Sequence, residues 1–186
     1  MDRDKSFTLW TDLVNTRYLH NGHEVDDLQT MDRAQEWLQR HFPDMLPVLA
    51  TDDAVFSEHW LGRLRELRDI CLDVASTVHD PVSLGTVLDR WNQWMQNLHL
   101  TAYIIKDHDQ LHEIITGVGR SEQILWRISH SLAETLRHYP LERIRQCEHD
   151  ECIRYFVDTS RGGHRRWCDM ATCGNRQKVA RYRAKR

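Results

Sequence analysis

Cys147-Glu-His-Asp-Glu-Cys152 and Trp167-Cys168-Asp-Met-Ala-Thr-Cys173-Gly174-Asn175-Arg176 decide how this chain is read. Four of its five cysteines fall here as two pairs with the same spacing, C-x4-C, held 15 residues apart. A tetrahedral zinc site needs two short ligand pairs, each from one tight turn, with a loop long enough to bring the turns around one ion. The pattern therefore predicts one structural Zn2+ held by Cys147, Cys152, Cys168 and Cys173. Four buried free thiols are the bland alternative, but so short a segment offers little core to hide them. His149 and His164 lie close enough in sequence to stand in as ligands, yet four well-spaced cysteines already fill the coordination sphere. Four thiolates leave zinc no open position, so the ion is expected to build structure and not to activate water.

The rest of the composition describes an ordinary folded chain. Of 186 residues, 40% are hydrophobic and 28% charged, with a mean hydropathy of −0.65 and seven Trp to anchor a core. The start, Met1-Asp-Arg-Asp-Lys5, alternates charge with no apolar run behind it, so no secretory signal is expected. No apolar stretch approaches a membrane span, and the expectation is no membrane partner and a cytoplasmic location. In that reducing compartment paired cysteines are more often metal ligands than disulfides. Charge is split along the chain. Residues 1–140 carry 13 Lys and Arg against 22 Asp and Glu, whereas residues 141–186 carry 12 against 6. Six basic residues and no acidic one lie between Met170 and Arg186. An acidic body with a basic appendage points to a polyanionic partner; a solvated charged tail is the alternative.

Periodicity predicts a mainly helical body over residues 1–140. Trp10, Val14 and Tyr18 have helical spacing over Phe7–Tyr18, although a strand from Phe7 fits as well. Asn21-Gly22 reads as a turn, and Thr30 as the start of a short helix bearing Ala34, Trp37, Leu38 and His41. The longest helix is expected from near Thr51, with Trp60, Leu64, Leu67, Cys71, Val74 and Val78 as its packed seam. Cys71 reads as a small core residue. Ser83 is expected to cap a helix with Val87, Leu88, Trp91, Trp94, Met95 and Leu98 on one face. Thr101–Ile105 and Leu111–Ile115 form a small hairpin, and Ile124, Leu125, Ile128, Leu132 and Leu136 mark a last body helix. Asp12, Asn15, Thr16 and Arg17 form a polar cluster that lines a ligand cavity or, more simply, bridges neighbouring elements.

The boundary is expected near Pro140, with residues 141–186 as a finger docked on the body because the linker is short. After the first metal turn, Arg154–Asp158 is expected to run as a strand, turn through Gly162 and Gly163, and return through His164 to Trp167. Gly174 to Lys185 should form a helix, giving a treble-clef-like knuckle, hairpin and helix. On it Lys178, Arg181 and Lys185 share one face, and Arg176 and Arg183 the adjoining one, with Val179 and Tyr182 on an apolar stripe facing the finger. Arg165 and Arg166 extend the positive surface. Together with Arg186 these are the candidate nucleic-acid contacts. Arg176 has a rival role, bracing the metal turns through backbone carbonyls.

Cys147…Cys152-Ile-Arg-Tyr-Phe156-Val-Asp158-Thr-Ser160 and Arg166-Trp167-Cys168…Cys173-Gly174-Asn175-Arg176 resemble the CGNR zinc finger of bacteria. Asp12-Leu-Val-Asn-Thr16 and Asp26-Asp-Leu28…Trp37-Leu38 resemble the start of the ABATE domain that usually precedes it. The resemblance implies a mainly α (α+β) chain with a small β-hairpin: an ABATE-like domain over 1–140 and a four-cysteine zinc finger over 141–186. It also implies a bacterial stress-induced transcription regulator that binds DNA and senses a small-molecule or protein effector through its body. Palindromic operators commonly call for a homodimer. An RNA-binding or protein-interaction finger is the alternative function. No Ser-His-Asp set, phosphate-cradling loop or His-Glu-x-x-His motif is visible, so no enzyme is expected.

Overall fold

The computed structural model describes residues 7–45 and 57–184. Within them the body has five helices: α1 (Leu9–Val14), α2 (Met31–His41), α3 (Glu58–Thr77), α4 (Pro81–Met95) and α5 (Arg120–His138). Two antiparallel hairpins interrupt them, β1 (Arg17–His20) with β2 (His23–Asp26), and β3 (Leu100–Asp107) with β4 (Gln110–Gly117). A third two-stranded sheet, β5 (Ile144–Gln146) with β6 (Tyr155–Val157), opens the finger. After a π-type turn over Met170–Gly174, helix α6 (Asn175–Arg183) closes the described chain. The fold is mainly helical with small antiparallel sheets and a four-cysteine carboxy-terminal finger. No described helix is long and apolar enough to cross a membrane.

The core follows the seams. Trp60, Leu64, Leu67, Cys71, Val74 and Val78 of the α3 run are all buried, as are Ile124, Leu125, Ile128 and Leu132 of α5. Short α1 lies across both long helices and buries Trp10 completely. A buried indole needs its N–H satisfied. Trp10 Nε1 donates to Thr135 Oγ1 at 2.9 Å, and its backbone N–H donates to Ser131 Oγ at 2.9 Å. Cys71 is a core thiol whose pKa burial pushes upward, so it stays protonated. The α4 face is looser than its spacing suggests: Leu84 and Trp94 are buried, and Val87, Leu88, Trp91 and Met95 only half-buried.

Several boundaries differ from expectation. Helix α1 stops at Val14, and Tyr18 lies in β1; the Asn21-Gly22 turn, with φ of 52° and 80°, closes a hairpin where the i,i+4 spacing suggests one longer helix. Ser57 caps α3 by accepting from Trp60 N at 3.1 Å, while the predicted start near Thr51 falls outside the described residues. Asp80 caps α4, accepting from Val82 N at 3.2 Å, with Pro81 in the first turn where its missing N–H costs nothing. Ser83, the expected cap, instead donates to Asp80 Oδ2.

Beneath the first hairpin lies a charge. Arg68 of α3 is 1% exposed and forks onto Asp26, Nη1 to Oδ1 at 2.6 Å and Nη2 to Oδ2 at 3.0 Å, while Nη1 also reaches Thr16 Oγ1 at 3.0 Å. Arg17 Nε adds a bond to the same carboxylate at 3.3 Å. Despite the opposing effect of burial, these donors and Leu28 N–H hold the Asp26 carboxyl below the usual range. Thr16 and Arg17 of the polar cluster therefore bridge elements, and Asp12 pairs with His41 at 3.6 Å.

Candidate metal centre and basic helix

The finger is built outward from the body. Ile144 of β5 and Val157 of β6 are buried in the main core, so the finger's sheet rests on the helices. Asn15, at the end of α1, clamps it. Its Nδ2 donates to Tyr155 O at 2.8 Å, and its Oδ1 accepts from Tyr155 N at 2.9 Å, as a neighbouring strand would. Arg154 stacks over the Tyr18 ring at 4.9 Å. The strand β6 pairs with β5, upstream of the first metal turn, and not with residues 164–167 as the sequence suggests. The 164–167 segment instead runs beside the first knuckle, where Glu148 N donates to Arg166 O at 3.0 Å.

Asp158 holds the turn that follows. It is fully buried, accepting from Ser160 N at 3.0 Å and Ser160 Oγ at 2.6 Å through Oδ1, and from Arg165 N at 2.9 Å through Oδ2. Burial pushes its carboxyl pKa upward, but those donors outweigh it and hold the pKa below the usual range. Arg143 ties the same turn to the sheet by donating to Asp158 O at 3.1 Å and Ser160 O at 2.6 Å. Gly163 closes the turn with φ +65°, and a Cβ there would fall 2.6 Å from Arg143 Cζ. Only glycine suits that position.

The turns deliver four sulfurs to one place. The Sγ atoms of Cys147, Cys152, Cys168 and Cys173 all lie within 4.8 Å of one another, with Cys152–Cys168 at 3.7 Å and Cys168–Cys173 at 3.6 Å. Ligands about 2.3 Å from a tetrahedral zinc are about 3.8 Å apart, so this donor set fits one structural Zn2+. Neither His149 nor His164 joins the cluster; His149 Nδ1 accepts from Glu151 N at 3.1 Å inside the first knuckle. Cys168 N–H approaches Cys147 Sγ at 3.4 Å, a backbone contact that stabilises thiolate charge. The hydrogen bond from Cys168 holds Cys152 down at about 5, burial pushes Cys173 up to about 11, and the Cys152 bond, burial and the Cys152 charge push Cys168 upward. A divalent cation offsets that crowding of negative charge.

Around the sulfurs packing is thin. Trp167 and the cysteines form a separate small cluster, with the Arg166 guanidinium 5.0 Å above the indole. Gly174 lies so close that a Cβ would meet Met170 Sδ at 3.0 Å and Trp167 Cδ1 at 3.2 Å. Asp169 organises the last turn by accepting from Thr172 N at 2.8 Å. Helix α6 then leaves the metal centre.

The candidate cations separate into two groups. Arg165 is turned inward: Nε donates to Trp167 O at 2.8 Å, Nη2 donates to Cys168 O, and the guanidinium covers Phe156 at 4.7 Å. It braces the second metal turn, the role the sequence offers Arg176. Arg166 is exposed but pairs with Glu148. Arg176, Lys178 and Arg183 are exposed on α6. The side chain of Arg181 and all of Lys185 and Arg186 lie outside the described residues. Val179 and Tyr182 are 48% and 60% exposed, so the stripe expected to face the finger is open. Between α6 and the first knuckle runs a cleft of about 740 Å3, with Asp150 and Glu151 on one wall and Arg176 and Arg183 on the other.

The family model described as "Putative stress-induced transcription regulator", ABATE, matches residues 8–139. The chain belongs to the ABATE family. A second family model, the CGNR zinc finger, matches residues 143–186, which contain all four clustered cysteines. An ABATE region followed by a CGNR finger is the architecture the motif resemblance implies. The ABATE description is that of a regulator. No curated protein matches the chain.

Proposed function

We propose that this ABATE protein is a DNA-binding transcription regulator of the cytoplasm. Its finger grips duplex phosphates through α6, and its body takes a small-molecule or protein effector. The functional division falls near Pro140, with the body before it and the finger after it. The observation that carries the reading is the placement of Arg176, Lys178 and Arg183. All three are exposed on a helix whose root is a four-cysteine centre. Cys147, Cys152, Cys168 and Cys173 would hold zinc, which supplies a rigid cross-link between the two knuckles and α6. Arg165 braces that centre and does not touch DNA in this scheme, whereas Arg166 adds to the grip once it is released from Glu148. Arg181, Lys185 and Arg186 extend the same basic run. The body supports the grip by clamping β6 through Asn15, which ties the finger's orientation to α1.

Cations along a helix neutralise phosphates and release counterions, so affinity falls as salt rises. With about five phosphates contacted, log K falls against log salt with a slope near −4.5. Fluorescence anisotropy of a labelled duplex across a salt series measures it, and Arg176→Ala, Lys178→Ala and Arg183→Ala together flatten it. Salt-independent affinity, or no binding at low salt, overturns the reading. Competition by structured RNA that displaces the duplex at equal concentration would instead favour an RNA-binding finger.

A further inference from the structure

The β3–β4 ribbon is the least covered part of the described body. Tyr103, Ile104 and Ile105 of β3 are 51%, 77% and 42% exposed, and Leu111 of β4 is 73% exposed. Neither strand has a second partner among the described residues. A long apolar edge of this kind invites another strand, and folded proteins usually cover or charge it. Leu100 to Ile105 carries no charge at all.

Backbone phase shows which groups are available. Asp107 pairs with Gln110 across a two-residue turn, and at the other end Val118 N donates to His99 O at 2.8 Å in the same register. Antiparallel ladders alternate, so the odd-numbered residues of β3 bond to β4 and Leu100, Ala102, Ile104 and Lys106 turn their N–H and C=O outward. On β4 the outward groups differ. Gly117 N is already taken by Gln123 Oε1 of α5 at 2.7 Å, and the middle outward residue is Glu113.

We propose that two copies of this chain pair antiparallel through β3, about a two-fold axis at Ile104, into one four-stranded sheet ordered β4-β3-β3-β4. An isologous contact sets each residue against its own counterpart or a fixed mate. Centred on Ile104, that register sets Ile104 against Ile104, Tyr103 against Ile105, Ala102 against Lys106 and Thr101 against Asp107. No like charges oppose each other, and aromatic-to-β-branched pairs occupy the middle. Self-pairing of β4 with Leu111 against Ile115 would set Glu113 against itself, which disfavours that edge. About six backbone hydrogen bonds form across the β3 pair. The pairing stands or falls separately from DNA binding, because it uses none of the finger's cations.

Sedimentation of the full-length, zinc-loaded protein over a concentration series, with hydrogen exchange on the same samples, tests this. The wild type should shift from one chain mass to two as concentration rises. The amides of Ala102, Ile104 and Lys106 should exchange more slowly in the heavier form. Ile104→Pro deletes one outward donor while sparing the β3–β4 ladder, and it should weaken the dimer about a hundredfold with helicity and zinc content unchanged. A wild type that stays monomeric overturns the proposal. So does a dimer whose three amides exchange at the same rate on dilution, or one that a folded Ile104→Pro variant retains.

Discussion

The body and the finger are held by different physics. Around α3 and α5 the body buries Trp10, Leu64, Leu67, Ile124 and Leu132, with helices long enough for apolar contacts to recur turn after turn. Outside its β5–β6 sheet the finger has one small cluster, Trp167 with the four cysteines. Hydrogen bonds and a cross-link must do there what area does in the body. Asp158, Arg143 and Arg165 satisfy the backbone of the turns, and the sulfurs converge where one ion would join them. Ionic groups also play opposite parts. Arg68 and Asp26 sit beneath a hairpin in an already covered body, whereas Arg165 holds open turns that lack an interior. A short segment without a core can be shaped by a metal and a few charged hydrogen bonds.

The contrast is broken most severely by removing the ion. Structural zinc in small fingers contributes on the order of 10–16 kcal/mol of apparent free energy. Chelation should therefore expose the knuckles and α6 to protease while far-ultraviolet circular dichroism keeps the α3 and α5 signal. Equal protease resistance with and without chelator contradicts the account.

A smaller effect is expected at Asp158. Asp158→Ala takes the charged acceptor away from the part-buried amides of Ser160 and Arg165 and should cost roughly 2–3 kcal/mol, seen as looser finger amides in hydrogen exchange. Its folded pKa is depressed, so its stabilising contribution is full above the unfolded carboxylate pKa, about 3.9. It is lost as pH falls from there through the lower folded value. Asp158→Asn should remove that acid dependence.

Asn15→Ala should do least, roughly 1–2 kcal/mol, because it deletes two exchanged bonds at a half-buried seam. Its signature is positional: faster exchange at Tyr155 with zinc content and body helicity unchanged. An equal loss in α3 would show that the clamp belongs to the body's own stability.

What can be read from the residues alone follows the range of each interaction. The metal turns are local, and C-x4-C repeated twice is enough to announce them. The α3 and α5 seams are equally legible because every third or fourth residue votes for the same face. Strand pairing in the finger is not. Tyr155–Val157 is three residues long, and Gly162-Gly163 makes a return through 164–167 look natural. Gly163 is there for positive φ and for the Arg143 guanidinium instead. Arg165 looks like a phosphate contact because a sequence shows its charge and not the carbonyls of Trp167 and Cys168 that occupy it. Tyr18 falls on helical spacing with Val14 by coincidence, since Asn21-Gly22 already requires strands on both sides.

Metal stoichiometry tests the central claim most directly. Elemental analysis of protein purified without added metal, followed by Co2+ exchange and absorption spectroscopy, should give one zinc per chain. It should also give the thiolate-to-cobalt bands of a tetrahedral four-sulfur site, lost in Cys168→Ser. A chain that folds with no bound metal and four freely reactive finger thiols would contradict it.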